Sequence, residues 1–254
     1  MTACQETTTD DAPVSPLLSA LPTVHGRVVA RRRFTEDLLE VTLAGFGAVD
    51  GRPWMDRLTG GDQFVFALVS PEPGGIRPGY RLADLLERRP GDPVRGAYYT
   101  VRRARPEVDE LDLWVVDHGA PGSVGEWMRT AASGEPVALW GPRCGFRIPD
   151  DTRRALFVAD ETGFAAVAAL IDQLPADARA TAVIECRGDA HRPSVPPHPG
   201  LDLIWVDRGD DAPGTVNRLL PVVGSLVASS PDAGFDAVFG AAESRHVTEI
   251  RRFL

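Results

Sequence analysis

Short apolar runs that alternate with polar positions dominate the first half of the chain. Five of them are rich in β-branched or aromatic residues and are bounded by turn residues, which is typical of β-strands. Little helical periodicity separates them, so we predict a small antiparallel β-barrel. The five runs cover residues 28–30, 38–43, 64–69, 98–102 and 111–116.

Between residues 71 and 93, proline and glycine interrupt this pattern at short intervals. These prolines and glycines predict a long loop, and residues 82–88 within it could form a short helix. A loop of this length inside a compact domain is usually functional or disordered, and this one could roof a substrate pocket.

From residue 153 onward, strand patterns alternate with helical ones. Residues 155–159, 181–186, 201–206 and 237–239 read as strands, and a helical stripe begins at Phe164. A second run with helical spacing contains Pro221, which we expect to kink or restart that helix. The last helix could be capped by Ser244 or by the turn before it.

Strand–helix alternation predicts a mostly parallel sheet with helices outside. The complete expectation is a disordered leader (1–22), an antiparallel β-barrel domain (23–145) and a C-terminal parallel-sheet α/β domain (146–254).

Composition then excludes several function classes. The net charge of −9 argues against nucleic-acid binding, and no apolar run of about 18 residues is present to span a membrane. All 27 basic residues are arginine, so there is no lysine for a Schiff base or a P-loop. Cys4, Cys144 and Cys186 are too few for a disulfide framework or a metal site, and reduced thiols in a cytoplasmic protein are the simplest interpretation.

The strand around the double tyrosine carries groups that a flavin needs: an aromatic wall, a hydroxyl and positive charge. Strand alternation puts Tyr99 and Val101 on one face and Tyr98, Thr100 and Arg102 on the other. Arg95 precedes them. The alternative is an edge strand with packed tyrosines and a solvated arginine.

A glycine-rich turn follows the next strand and leads into a helix that we expect to start near Ser123. Backbone N–H groups at such a turn suit a pyrophosphate, although a capped helix with Trp127 in the core is an equal alternative. The candidate residues here are Asp117, His118, Gly119, Gly122, Ser123, Val124 and Trp127.

Two further candidate segments follow strands of the α/β half. Asp160, Glu161 and Thr162 lie at the carboxyl end of a predicted parallel strand, where α/β sheets bind ligands. The acidic pair could equally cap the next helix. Glu243 follows the last strand in the same way.

In this order, these segments resemble the siderophore-interacting protein family, the FAD-containing ferric-siderophore reductases related to ferredoxin–NADP reductases. The family pattern R-x-Y-T-x-R, D-x-x-x-H-G, G-P-A with a following W, G-P, D-E-T and A-G-E is matched in part at every point. The matches are Tyr99-Thr100-Val101-Arg102, Asp117-His118-Gly119, Gly122-Ser123-Val124 with Trp127, Gly141-Pro142, Asp160-Glu161-Thr162 and Ala241-Ala242-Glu243.

The resemblance implies that the barrel holds FAD non-covalently, with Tyr99 against the flavin and Thr100 bonded to its edge. Arg102 and the turn 119–124 would hold the phosphates. NADPH or NADH would be received near residues 160–162 and Glu243. Ala97 replaces the first family arginine, and Arg95 could substitute through a β-bulge, while Phe164 could crowd a nicotinamide.

Three functions remain open at this point. The first is an NAD(P)H-dependent flavin reductase that passes electrons to a ferric chelate or another acceptor. The second is a repurposed flavoprotein of natural-product biosynthesis, with His118, Tyr98 and Asp117 as candidate acid–base groups on an organic substrate. The third is a binding protein that has lost the flavin. The sequence leaves the oligomeric state open.

Overall fold

The structure of the protein is a computed structural model, and it describes residues 21–72, 74–86, 91, 93–229 and 234–254. Its first unit contains eight strands: β1 (Thr23–Arg33), β2 (Leu38–Ala44), β3 (Ala48–Val49), β4 (Arg52–Pro53), β5 (Gln63–Val69), β6 (Arg95–Arg105), β7 (Glu110–Val116) and β8 (Pro136–Cys144). Six of them form a closed antiparallel barrel in the order β1-β2-β7-β6-β5-β8, and the short strands β3 and β4 pair beside it.

The barrel forms because inward positions of its strands are apolar. Val41, Val65, Leu113 and Leu139 are fully buried in its core, and alternation points their neighbours outward. The five predicted strands of this half are confirmed. Strand β8 was missed, because Pro136 and Pro142 interrupt its sequence and it lacks a β-branched run.

Two short helices accompany the barrel. Helix α1 (Leu82–Leu86) lies within the predicted loop and matches the expected short helix as far as the described residues go. Helix α2 (Val124–Thr130) starts where the sequence predicted and buries Trp127 and Met128 in the barrel core. The expected disordered leader lies outside the described residues, apart from its last two.

The second unit contains β9 (Arg154–Ala159), α3 (Phe164–Ile171), β10 (Arg179–Cys186), β11 (Leu201–Asp207), α4 (Leu219–Ser229), β12 (Ala237–Ala241) and α5 (Ser244–Phe253). Its four strands form a parallel sheet in the order β11-β10-β9-β12, which confirms the predicted α/β half. The helix α4 continues through Pro221, because a residue in the first helical turn needs no N–H for an intrahelical hydrogen bond.

An apolar junction joins the barrel to the sheet. Trp114 on the outer face of β7 stacks on Phe164 at the start of α3, with ring centroids 5.5 Å apart and planes 13° apart. Leu38 of β2 belongs to the same buried cluster. Phe164 is 1% exposed and is therefore part of the core that joins the two units, which leaves it little surface to crowd a nicotinamide.

None of the helices in the described part of the chain is long and apolar enough to cross a membrane.

Candidate functional site

A cleft of about 450 Å³ opens where the barrel meets the carboxyl edge of the parallel sheet. One wall is formed by barrel strands β5, β6 and β7, and the other by the turn before α3 and the end of β12. The sequence candidates that line it are Tyr98, Tyr99, Thr100, His118 and Thr162. It is a junction between units at the carboxyl end of parallel strands, where ligands bind in α/β folds.

The barrel wall of the cleft is aromatic. The Tyr98 ring is half-exposed and meets Phe64 and Phe66 edge-on, with ring centroids 5.7 and 4.7 Å apart. Tyr99 packs its ring against the barrel core, and burial together with the charge of Asp117 raises the pKa of Tyr99 to about 12. Its hydroxyl therefore stays protonated at neutral pH. The Thr100 side chain follows on the same wall.

Further along β6, the cleft continues into a second cavity beside the start of α2. Ala97 lines both spaces, and Arg95, Gly122, Ser123 and Val124 line the second. Strands β5 and β6 pair in regular register from Arg95 to Thr100. The expected bulge at this point is therefore absent. Arg95 instead reaches the turn from its own place on the strand, two residues before Ala97 on the same face.

The turn before α2 is built by local hydrogen bonds. The Ser123 hydroxyl caps the helix by accepting from the Glu126 N–H at 3.0 Å, and the Glu126 carboxylate accepts from the Gly122 N–H at 2.6 Å. This is close to a capping box. Gly119 and Gly122 have φ values of 70° and 73°, which only glycine adopts readily, and a Cβ at either would point into open space.

Asp117 is committed to this turn, unlike its neighbour His118. The carboxylate of Asp117 accepts from Arg129 Nε at 2.6 Å and from the Gly119 N–H at 3.0 Å. It fixes the end of β7 to α2, so it does not match its predicted acid–base role. His118 is exposed and lines the cleft.

Three residues predicted to bind cofactor lie elsewhere. Arg102 is only 8% exposed, donates to Asp172 of the α/β unit at 2.5 Å and lines neither cavity, so its role as a phosphate ligand stays a prediction that this pairing does not support. Val101 faces the barrel core. Trp127 is also in that core, as the alternative interpretation held, with one edge at a small cavity beside Ser123.

On the sheet side, the acidic residues are used within the protein. Asp160 accepts from the Thr162 and Gly163 N–H groups at 2.9 and 3.2 Å, so it shapes the turn before α3. Its other oxygen accepts from the Glu243 N–H at 3.1 Å. Glu161 pairs with Arg208 and is largely buried. Of this group only Thr162 lines the cleft, so the cleft receives no carboxylate from residues 160, 161 and 243.

Sequence reasoning missed several cleft residues. Asp62, in the loop before β5, accepts from the N–H groups of Gly145 and Phe146 at 2.8 and 2.6 Å; burial nevertheless raises the pKa of its carboxyl. Nothing in the sequence around Asp62 signals this position, because the cleft wall there is assembled by the link between the two units. Phe239 and Ala241 follow a strand end that the sequence had identified.

The two joined cavities fit the demands of an FAD molecule. The cleft offers the aromatic side chains of Tyr98 and Tyr99 and the hydroxyl of Thr100, which has no hydrogen-bond partner among the described residues. The second cavity offers the Arg95 guanidinium and the N–H at the start of α2. A flat apolar wall joined to a cationic pocket matches a ring system joined to a pyrophosphate.

Family models match nearly the whole described chain. The siderophore-interacting FAD-binding domain matches residues 27–146, and the siderophore-interacting protein model matches residues 152–254. An uncharacterized protein of Mycobacterium tuberculosis is 30% identical over 189 residues, which are 73% of this chain and 65% of that protein. The chain thus spans less than two thirds of that relative's length.

Functionally described relatives and solved structures agree with these matches. Ferric vibriobactin reductase ViuB of Vibrio cholerae is 26% identical over 231 residues, which are 89% of this chain and 80% of that one. A siderophore utilization protein from T. fusca superposes with a TM-score of 0.70 at 27% identity, covering 92% and 86% of the two chains. The ferredoxin reductase of carbazole 1,9a-dioxygenase (TM-score 0.60, 17% identity, 92% and 65% covered) shares the fold, which confirms the predicted ferredoxin reductase-like architecture.

Proposed function

Because the chain belongs to the siderophore-interacting protein family, we propose that it is an FAD-dependent reductase that takes electrons from NADPH or NADH and delivers them to a ferric chelate. The match of its barrel to an FAD-binding domain supports the flavin. The likeness to ferric vibriobactin reductase supports the class of acceptor.

One observation carries the proposal: a single cleft has a flavin-type wall on the barrel and the carboxyl edge of the parallel sheet opposite it. Tyr99 and Thr100 line the first wall, and Thr162, Gly163 and Ala241 line the second. Small residues on the second wall leave room for a nicotinamide ring. A two-sided cleft of this kind lets two planar rings lie face to face, as hydride transfer requires.

The residues of the chain would bind and orient rather than react. FAD, when bound, supplies the hydride acceptance and the onward transfer of single electrons. Tyr99 would pack against the flavin, Thr100 would offer its hydroxyl to the ring edge, and Arg95 would neutralise the phosphates. Tyr99 is uncharged at neutral pH, so its hydroxyl adds no negative charge to the flavin wall.

The acceptor would approach from the open side of the cleft. Tyr98 is half-exposed there, and Arg143 lies over the Phe64 ring at 5.6 Å. An aromatic surface next to an arginine suits an anionic chelate, even though the whole chain is acidic. Electron transfer needs only proximity, so a shallow surface is sufficient for the acceptor.

An anaerobic titration tests the proposal. The purified protein, loaded with FAD, is mixed with NADPH or with NADH, and the flavin absorbance is followed. We expect bleaching with at least one nucleotide and recovery of the absorbance on adding ferric citrate or a ferric catecholate. A flavin that neither nucleotide bleaches contradicts the reductase.

Thr100→Val supplies a matched variant, since it keeps the shape of the side chain and removes only the hydroxyl. We expect it to retain FAD and to slow bleaching by about tenfold, as loss of one positioned hydrogen bond does. An unchanged rate in Thr100→Val would show that the hydroxyl does not contact the flavin.

A further inference from the structure

The C-terminal end of α3 is fastened to the barrel by two adjacent polar contacts. Asp172, just after the helix, accepts from Arg102 of β6 at 2.5 Å. Gln173 bonds both backbone groups of Gly61, accepting from its N–H at 2.6 Å and donating to its carbonyl at 3.3 Å. These contacts join the two units directly, independently of the chain that links them.

Arg102 lies on the outer face of β6, which helix α3 covers. Val101 faces the barrel core, so strand alternation points Arg102 outward, to the same face as Thr100. Its side chain is nevertheless buried, because it packs between Trp114 and the end of α3. Strands β6 and β7 shift register between Val101 and Arg103, which is the signature of a β-bulge, and Arg103 is exposed.

The guanidinium of Arg102 sits in an apolar setting. It lies over the Trp114 ring at 4.8 Å, and Trp114 in turn stacks on Phe164 of α3. Its Nε has no hydrogen-bond partner within the described part of the chain, so this buried cation depends on Asp172 for its compensation. Arg102 is the buried member of the pair, whereas the Asp172 side chain is 42% exposed. Such a pair contributes little net stability, but its directional contact favours one position of α3 on the barrel.

Both elements that the pair joins also form the walls of the cleft. Thr100 lies two residues before Arg102 on β6, and Ala165 and Ala166 line the cleft from the first turn of α3, whose far end carries Asp172. Rotation or sliding of α3 against the barrel would therefore change the separation of the two walls.

We propose that the Arg102–Asp172 pair is an interdomain clamp that fixes the width of the cleft. Arg102 is then a positioning residue for hydride transfer rather than a phosphate ligand. The kinetic part of this assignment rests on the proposed reductase function; the docking part does not.

The test uses Arg102→Ala, Asp172→Ala and the double variant in the full-length protein. Arg103→Ala is the matched control, since it removes the same charge from the neighbouring exposed position of β6. We expect both single variants and the double variant to slow flavin bleaching at saturating nucleotide by the same factor, about tenfold or more, because small misplacements of reacting groups are costly. FAD retention should match the wild type in all of them.

A second readout needs neither flavin nor nucleotide. In the FAD-free protein, Arg102→Ala and Asp172→Ala should accelerate backbone hydrogen exchange at the end of α3 and in residues 59–63, and leave the barrel strands unchanged. Arg103→Ala should alter neither region. Arg102→Lys, which keeps the charge, should restore part of the protection.

Distinct results would overturn the clamp. Wild-type exchange in both single variants would show that the pair does not hold α3. Faster exchange with a wild-type bleaching rate would show that the pair stabilises the docking but does not affect hydride transfer. Loss of FAD in Arg102→Ala alone would show that Arg102 binds the phosphates. If no nucleotide bleaches even the wild type, the proposed reductase function fails, and the exchange pattern alone then supports or refutes the clamp.

Discussion

Gly163 lies so close to Ala241 that a Cβ added to it would come within 1.8 Å of the Ala241 carbonyl oxygen. The contact joins the turn before α3 to the end of β12, and both residues line the cleft. Backbone cannot move aside as a flexible side chain can, so the closeness of these two segments requires glycine at position 163.

We therefore expect Gly163→Ala to destabilise the protein by about 3 kcal/mol or more, the upper range for overpacking. Chemical denaturation measures this. Gly234→Ala is the control, since a Cβ there meets nothing within 4 Å and the backbone is not left-handed. Equal stability of the two variants would contradict the close approach.

Ser123→Ala removes the cap of α2. The lost hydrogen bond to the Glu126 N–H should lower the free energy of unfolding by about 1 kcal/mol, and Ser123→Thr should restore most of it. If the turn also holds the flavin phosphates, the alanine variant should release FAD more readily. Thermal unfolding and flavin content after dialysis separate the two effects.

Arg95→Ala should weaken FAD retention by about tenfold or more, because it removes a charge-assisted contact from the second cavity. Fluorescence titration of the FAD-free protein measures the affinity. Arg103→Ala, from the exposed side of the same strand, should bind as the wild type does. Equal affinities in the two variants would remove Arg95 from the phosphate site.

Glu185→Gln tests a buried acid at the carboxyl end of β10. Glu185 is 2% exposed, and burial raises the pKa of its carboxyl above the ordinary 4.5 against the opposing charge of Arg208. The folded protein thus holds this proton more tightly than the unfolded chain. The resulting stability is complete below 4.5 and is lost as pH rises through the folded pKa.

We expect the melting temperature of Glu185→Gln, minus that of the wild type, to increase as pH rises from about 4.5 toward neutrality. Melting curves across this range provide the measurement, with exposed Glu107→Gln as the control. A constant difference at all pH values would show that Glu185 titrates normally.

The pKa of Asp112 is shifted in the opposite direction to that of Glu185. Burial opposes its ionisation, but hydrogen bonds from Arg105 (2.5 and 2.8 Å) and Thr42 (2.8 Å) outweigh burial and hold the pKa of Asp112 below 3.8. Its contribution to stability is present above 3.8 and is lost as pH falls. Asp112→Asn should cost about 2 kcal/mol at neutral pH, and this cost should shrink in acid. Denaturation at two pH values checks both statements.

The sequence could predict the elements of each unit because their patterns are local. Alternation over two residues and recurrence over three or four identify strands and helices without knowledge of what they pack against. Pattern failed at β8, whose prolines and small residues take their strand conformation from neighbours on both sides. It failed again at Pro221, where position within the first turn decides the outcome.

The positions of the candidate site residues could likewise be predicted only where local sequence sets them. Tyr98, Tyr99 and Thr100 line the cleft and Ser123 lines the second cavity, as expected from their strand and turn, because nearby residues set their geometry. Arg102 differs: its sequence position suits the phosphates, but α3 docks on the outer face of β6 and pairs Arg102 with Asp172, seventy residues away.

The sequence by itself determined the barrel, the parallel sheet and the family, since these follow from local periodicity and from short motifs in a fixed order. Only the tertiary structure decided which motif residues face the cleft and which hold the fold together. The reason is that a side chain's partner is set by strand register and by docking between distant segments, as the docking of α3 on β6 shows for Arg102.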